Sequence, residues 1–149
     1  MNQPQQIFHY TIKHRLELIL KDKLIKPATA HLAKNEKPVV WCSANTEWEE
    51  TANKSYPDSL GNICHGNKLT THKLGGGLAR ISVKTTVAPY RWNDFKKLSG
   101  VPANTAKSLY DIAIMARARP GEWYVSFEPI PDNFWLSIEL FDGSQWKPV

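Results

Sequence analysis

Apolar residues in this chain come only in short runs, and punctuating residues cut every run off within a few positions. Pro27, Pro38, the pair Pro120-Gly121, Pro129, Pro131 and the pair Asp142-Gly143 are spread along 149 residues. Proline removes a donor and fixes its own φ, so none of these points can lie inside a helix or a central strand. A membrane-spanning helix needs about 20 consecutive apolar residues, and no run approaches that length. The pattern predicts short elements of mixed type. With 42% hydrophobic and 11% aromatic residues there is enough apolar material to build one real core.

The period of the apolar residues assigns the elements. Ile7 to Tyr10 is a short β-like run. Ile12, Leu16, Ile19 and Leu20 then repeat at helical spacing, with Thr11 expected as the N-cap and Pro27 as a barrier beyond the helix. Lys37 to Asn45 (KPVVWCSAN) predicts a strand with Ser43 at its exit, and Glu47 to Lys54 a short helix. Tyr56 to Gly77, rich in Gly, Asn, Ser, Thr and His, reads as loop. A strand is expected over Leu78 to Val87 and a turn or short helix over Pro89 to Gly100. A second substantial helix follows over Asn104 to Arg117. Glu122 to Glu128 predicts a strand with Trp123, Val125 and Phe127 on one face and Glu122, Tyr124, Ser126 and Glu128 on the other. Phe134 to Phe141 and Gln145 to Val149 complete a hairpin about Asp142-Gly143. The expectation is a single α+β domain over residues 1–149, with 1–6 frayed, two principal helices and a split, mostly antiparallel sheet.

Charge narrows the partners. The net charge is +5, unevenly placed. Arg80 to Arg119 holds eight basic residues and two acidic ones, whereas Glu122 to Val149 holds one basic residue and five acidic ones. Such a middle suits an anionic ligand, and it equally suits an ordinary solvated surface. Lys107 and Arg117 lie ten positions apart, and Arg80, Lys84 and Arg91 belong to other elements. One continuous nucleic-acid face is therefore not expected. Two cysteines, Cys42 and Cys64, are too few for a disulfide scaffold, and no CxxC or HExxH spacing accompanies the five histidines. We expect free thiols, no metal and a cytoplasmic setting without a membrane. Gly75-Gly76-Gly77 lacks the spacing of a nucleotide-binding loop and reads as a flexible loop or, alternatively, a phosphate cradle.

Polar groups at three predicted strand ends form the candidate constellation: His9-Tyr10-Thr11, Ser43, and the glutamates Glu122 and Glu128. Well-separated polar groups at strand ends are how a cleft in a split sheet is furnished. Each also has a structural reading, as a backbone-bonded histidine, a capping hydroxyl and a solvated edge.

The segment IFHYTIKHRLELILKDKLIKPAT resembles the start of small ADP-ribosyltransferase-like proteins, with Lys23 standing where those proteins carry glycine. VVWCSAN is similar to their second strand, and EWYVSFEPIP followed by FWLSIEL to their late segment. The resemblance implies an NAD-binding fold, of a toxin or phage factor, in which NAD is a substrate. It implies that His9 bonds the ribose, with Tyr10 beside it in the motif, that Thr11 frames the adenosine side, and that Ser43 supports a catalytic glutamate. Glu128 is favoured over Glu122 for that glutamate. Arg80 would suit the pyrophosphate, and Tyr56, Tyr90 or Trp92 the nicotinamide ring. The implied activity is ADP-ribosyl transfer or NAD hydrolysis, with nucleic acid, protein, small molecule or water as acceptor. A basic nucleic-acid-binding module and a catalytically inactive adaptor or inhibitor on the same fold are the alternatives.

Overall fold

A computed structural model describes residues 3–149. The chain runs β1 (Gln6–Ile12), α1 (Lys13–Asp22), β2 (Leu24–Ile25), β3 (Val40–Ser43), β4 (Ser55–Pro57), β5 (Ile63–His65), α2 (Lys68–Leu74), β6 (Leu78–Lys84), α3 (Trp92–Leu98), α4 (Ala103–Met115), β7 (Trp123–Ser126), β8 (Ile130–Pro131), β9 (Trp135–Phe141) and β10 (Trp146–Pro148). It is a single α+β domain. The main sheet has the order β10-β9-β6-β1-β3-β7, and every pairing in it is antiparallel. β2 pairs with β8, and β4 with β5, as separate two-stranded ribbons. No helix among the described residues is long and apolar enough to cross a membrane.

Alternation along β1 distributes the core. Ile7 faces a layer built from Val40, Cys42, Ile81, Val83 and Tyr124, closed by Leu16 of α1 and Ile25 of β2. Phe8 and Tyr10 face the opposite way, into a cluster with Trp48, Leu78 and Phe141 that Trp146 covers. A third cluster, Val39, Phe95, Val101, Ala106 and Val125, fastens α3 and α4 to β7. Ile7 and Ile81 are fully buried, and each such side chain contributes roughly 1.5–3 kcal/mol by leaving water.

Several sequence expectations are corrected. Thr11 is not a helix cap: β1 continues to Ile12 because Thr11 pairs with Ala79 across the sheet, and Thr11 is buried. α1 starts without a side-chain cap. Its first N–H groups donate instead to the glycine run, Lys13 to the Gly77 carbonyl at 2.9 Å and His14 to the Gly75 carbonyl at 3.3 Å. The run's own N–H groups donate to the Thr71, Lys73 and His72 carbonyls, so the run is a hydrogen-bonded turn whose donors are not open to a phosphate. A Cβ on Gly75 would lie 2.4 Å from Ile12 Cβ, and Gly77 sits at φ +131°.

The stretch read as loop over 56–77 holds the β4–β5 hairpin and α2. Asn67 starts α2 with a reciprocal capping box to Thr70, and buried Thr71 accepts a bond from Lys54 N–H. The segment expected as a helix near Glu47 to Lys54 is one 3₁₀ turn, Glu50–Ala52. β7 is shorter than expected and buried on both faces, because α3 and α4 cover one side and the core closed by α1 the other. Glu122 and Glu128 consequently lie outside the strand. Residues 1–2 of the expected frayed start lie outside the described residues, and Gln6 already belongs to β1.

The second cluster contains a charge. Arg80 lies between the rings of Phe8 and Trp146, its guanidinium carbon 4.3 and 4.5 Å from their centroids. Its Nε donates to Glu139 at 2.8 Å, and its Nη1 donates to the Tyr10 hydroxyl and the Thr46 carbonyl. Arg80→Ala should lower unfolding free energy by about 3–5 kcal/mol in urea melts, because Glu139 is left largely buried without its partner. Lys107→Ala, which breaks an exposed pair with Asp111, should cost at most about 0.5 kcal/mol. Equal losses would mean that Arg80 is not an anchor.

Candidate active site at a seam in the sheet

The two halves of the main sheet are joined weakly. β1 is paired to β6 at all seven of its residues and β3 to β7 at all four, but β1 and β3 share only the pair Phe8–Ser43. A continued register would have set His9 opposite Cys42, and Thr11 opposite Val40. Instead the strands part beyond Phe8, and a cleft of about 760 Å³ opens beside them. That volume is within the roughly 300–1,000 Å³ of small-molecule sites.

His9 bridges the opening. Its Nδ1–H donates to the Trp41 carbonyl at 2.8 Å. Burial holds its pKa below 6.5; the Trp41 bond works the other way, and the nearby Arg15 charge adds to the lowering. The ring is thus neutral with its proton on Nδ1, and Nε2 is left as an acceptor. Ser43 Oγ accepts from Asn45 N–H at 3.1 Å, and Asn45 Oδ1 accepts from Glu47 and Trp48 N–H. These bonds turn the chain out of β3 and deliver Glu49 to the cleft wall.

Glu49 is a carboxylate on the cleft wall that the sequence reading did not single out. It is 8% exposed, and its Oε2 accepts from Thr51 N–H at 3.2 Å and Thr51 Oγ1 at 2.6 Å. Arg15, on the first turn of α1, and Lys54 border the same cleft, and neither has an acidic partner within ion-pair distance among the described residues. Burial lowers the Lys54 pKa, and Arg15 lowers it further, so the two cations feel each other. Like charges held together without neutralisation form an anion-binding corner. Trp41, Trp92 and Trp123 supply an aromatic wall, with ring centroids 5.3–6.4 Å apart. The buried Nε1 of Trp123 has no partner.

Of the residues singled out from sequence, His9, Tyr10, Thr11 and Ser43 all border this cleft. The Tyr10 ring nevertheless packs on the opposite face, against Trp48 and Trp146, and burial pushes its phenol up to about 12. Arg80 is occupied within the second cluster and does not line the cleft. Neither does Glu128, which is exposed beyond β7, nor Glu122, which borders a separate shallow groove with Arg117 and Arg119. Trp92 alone among the three candidate stacking rings reaches the cleft; Tyr90 pairs with Val125 and packs on Phe127, and Tyr56 lies in β4. Cys42 is a core thiol that burial pushes up to about 12, so it stays protonated. No group of three or more metal-ligating side chains converges among the described residues.

A weak signal for Glu49 was present in the sequence, as the acidic pair Glu49-Glu50 shortly after the SAN turn. No spacing rule converts it into a site. No protein-family model, curated protein or solved structure matches the chain.

The His9 environment has a pH signature. The folded state holds His9 below its unfolded pKa of about 6.5. Between those two values the unfolded chain binds the extra proton. Stability should therefore fall as pH drops below about 6.5, and His9→Gln should flatten that part of the profile. Denaturant melts from pH 8 to pH 5 check it; an unchanged slope in His9→Gln would assign the effect to another group.

Proposed function

We propose that the seam cleft binds NAD and that the chain breaks its nicotinamide–ribose bond, passing ADP-ribose to an acceptor or to water. One observation carries this reading. The sheet opens where the sequence resembles ADP-ribosyltransferase-like proteins, and the opening gathers a neutral histidine, a buried carboxylate, an unneutralised cation pair and a tryptophan wall. The single-pair seam supports the split sheet that the resemblance implies. Lys23 supports it too: it closes α1 with φ at 54°, the left-handed conformation that favours glycine, where the resembling proteins carry glycine.

Each group has a chemical part. His9 Nε2 accepts a bond from a ribose hydroxyl and holds the sugar in place. Arg15 and Lys54 take the pyrophosphate, the task the sequence reading gave to Arg80. Trp92 or a neighbouring tryptophan faces the nicotinamide ring. When the bond between ribose C1′ and the nicotinamide nitrogen breaks, nicotinamide leaves with the electron pair and becomes neutral. C1′ gains oxocarbenium character, which the Glu49 carboxylate stabilises while Thr51 fixes its orientation. Oxygen or nitrogen of the acceptor then bonds to C1′, and its proton passes to the carboxylate or to solvent. Ser43 acts through the turn that carries Glu49.

Nicotinamide release and calorimetric NAD binding test the reading. Glu49→Gln should leave NAD bound and cut turnover by about 10²–10³. Arg15→Ala should weaken NAD binding about ten- to hundredfold, the worth of a charge-assisted bond. Glu128→Gln and Glu122→Gln should each retain turnover within about threefold. Loss of turnover in either of those variants, with Glu49→Gln active, would move the carboxylate role to that residue. Failure of the wild-type chain to bind NAD at all would end the proposal.

A further inference from the structure

We propose that a second groove, between α3 and α4, binds single-stranded nucleic acid and presents it to the seam cleft as the ADP-ribose acceptor; the acceptor role rests on the NAD reading. The groove has a volume of about 880 Å³, and Trp92 borders both it and the cleft. Arg91, Lys96 and Lys107 line it together with Trp92 and Tyr110, and no acidic residue does. The fold thus gathers basic residues that sequence distance had set apart.

Its charge is built in. Arg91 Nε donates to the Trp123 carbonyl at 2.9 Å, a terminal nitrogen donates to the Gly121 carbonyl, and the guanidinium lies 4.1 Å over the Tyr124 ring. Lys96 is exposed and has no acidic partner within ion-pair distance among the described residues, while Lys107 is partly neutralised by Asp111. Tyr110 is 41% exposed, with its ring 6.2 Å from Trp92. Cations beside open aromatic faces suit a chain of phosphates whose bases are free to stack. A duplex keeps its bases stacked inside, so a single strand is the fitting form. The transfer balances without a further reagent: a base nitrogen or terminal phosphate oxygen of the strand bonds to C1′ as nicotinamide leaves with its electron pair, and any proton on the nucleophile passes to Glu49 or solvent.

Fluorescence anisotropy with labelled single-stranded and duplex 12-mers, at two salt concentrations and without NAD, tests the site. Lys96→Glu and Tyr110→Ala should each weaken single-strand binding about tenfold. Lys96→Glu should also flatten the salt slope by about 0.7. Lys97→Glu, the same charge change outside the groove, should alter affinity less than about twofold. Absence of single-strand binding, equal duplex affinity, or an equal loss in Lys97→Glu would overturn the site. With NAD labelled in its adenylate phosphate, the wild type should label the strand. Tyr110→Ala should release nicotinamide normally and label the strand at least about tenfold less. Label reaching only water or added protein would overturn the acceptor role. Strand binding through Lys96 and Tyr110 in a chain that never binds NAD would overturn the NAD reading and the acceptor role together, leaving the strand site standing.

Discussion

The guanidinium of Arg80 ties together four separate parts of this molecule. It is a charge placed among aromatic rings, and it is tolerable there only because Glu139, Tyr10 and the Thr46 carbonyl satisfy it. Those partners come from β9, from β1 and from the segment after β3. Trp146 closes over it from β10. One buried cation therefore fixes four parts of the chain. The last of its partners matters most for chemistry, because Thr46 lies three residues before Glu49. The same anchor that stiffens the β1–β6–β9 half of the sheet also holds the turn that places the cleft carboxylate.

The seam follows from how firmly each half is built. β1 is committed to β6 along its whole length, and β3 to β7 along its whole length. Only Phe8 and Ser43 bridge the halves, so the right-handed twist of each can separate the strands beyond that pair. Opening a sheet exposes backbone groups and is costly unless something satisfies them. His9 meets part of that need through its bond to the Trp41 carbonyl. The residue that makes the opening sustainable is thus also one that borders the cleft.

Much of this was legible in the sequence. Helical spacing of apolar residues located α1 and α4, and short runs of β-favouring residues between turn signals located β1, β3, β6 and β9. His9, Thr11 and Ser43, which border the cleft, were legible as candidates because they stand at strand ends within recognisable runs. The errors share one cause, tertiary pairing outweighing a local signal. Thr11 has the chemistry of a cap but lies opposite Ala79, and the helix start took its acceptors from glycine carbonyls more than sixty residues away. Arg80 looked available because it is basic, yet its partners Tyr10 and Glu139 are seventy and fifty-nine residues distant. Glu49 was hidden for the converse reason: its place depends on Ser43 and Asn45 hydrogen bonds that no periodic pattern encodes.

Tryptophan 92 links the two concavities and sets a limit on how independently they can act. Its ring stacks on Phe95 at 5.5 Å and meets Trp41 and Trp123 edge-on or tilted. Protein interiors packed this tightly transmit displacement rather than absorb it. A base stacked near Tyr110 and a nicotinamide ring near Trp41 would press on the same aromatic cluster from two sides. If both proposed sites are filled, any coupling between them runs through the position of this shared ring, and it is reciprocal. The partnerless Trp123 Nε1 belongs to this cluster. A donor held there without an acceptor costs about 1–3 kcal/mol, and a ligand that offers it an oxygen recovers that cost on binding.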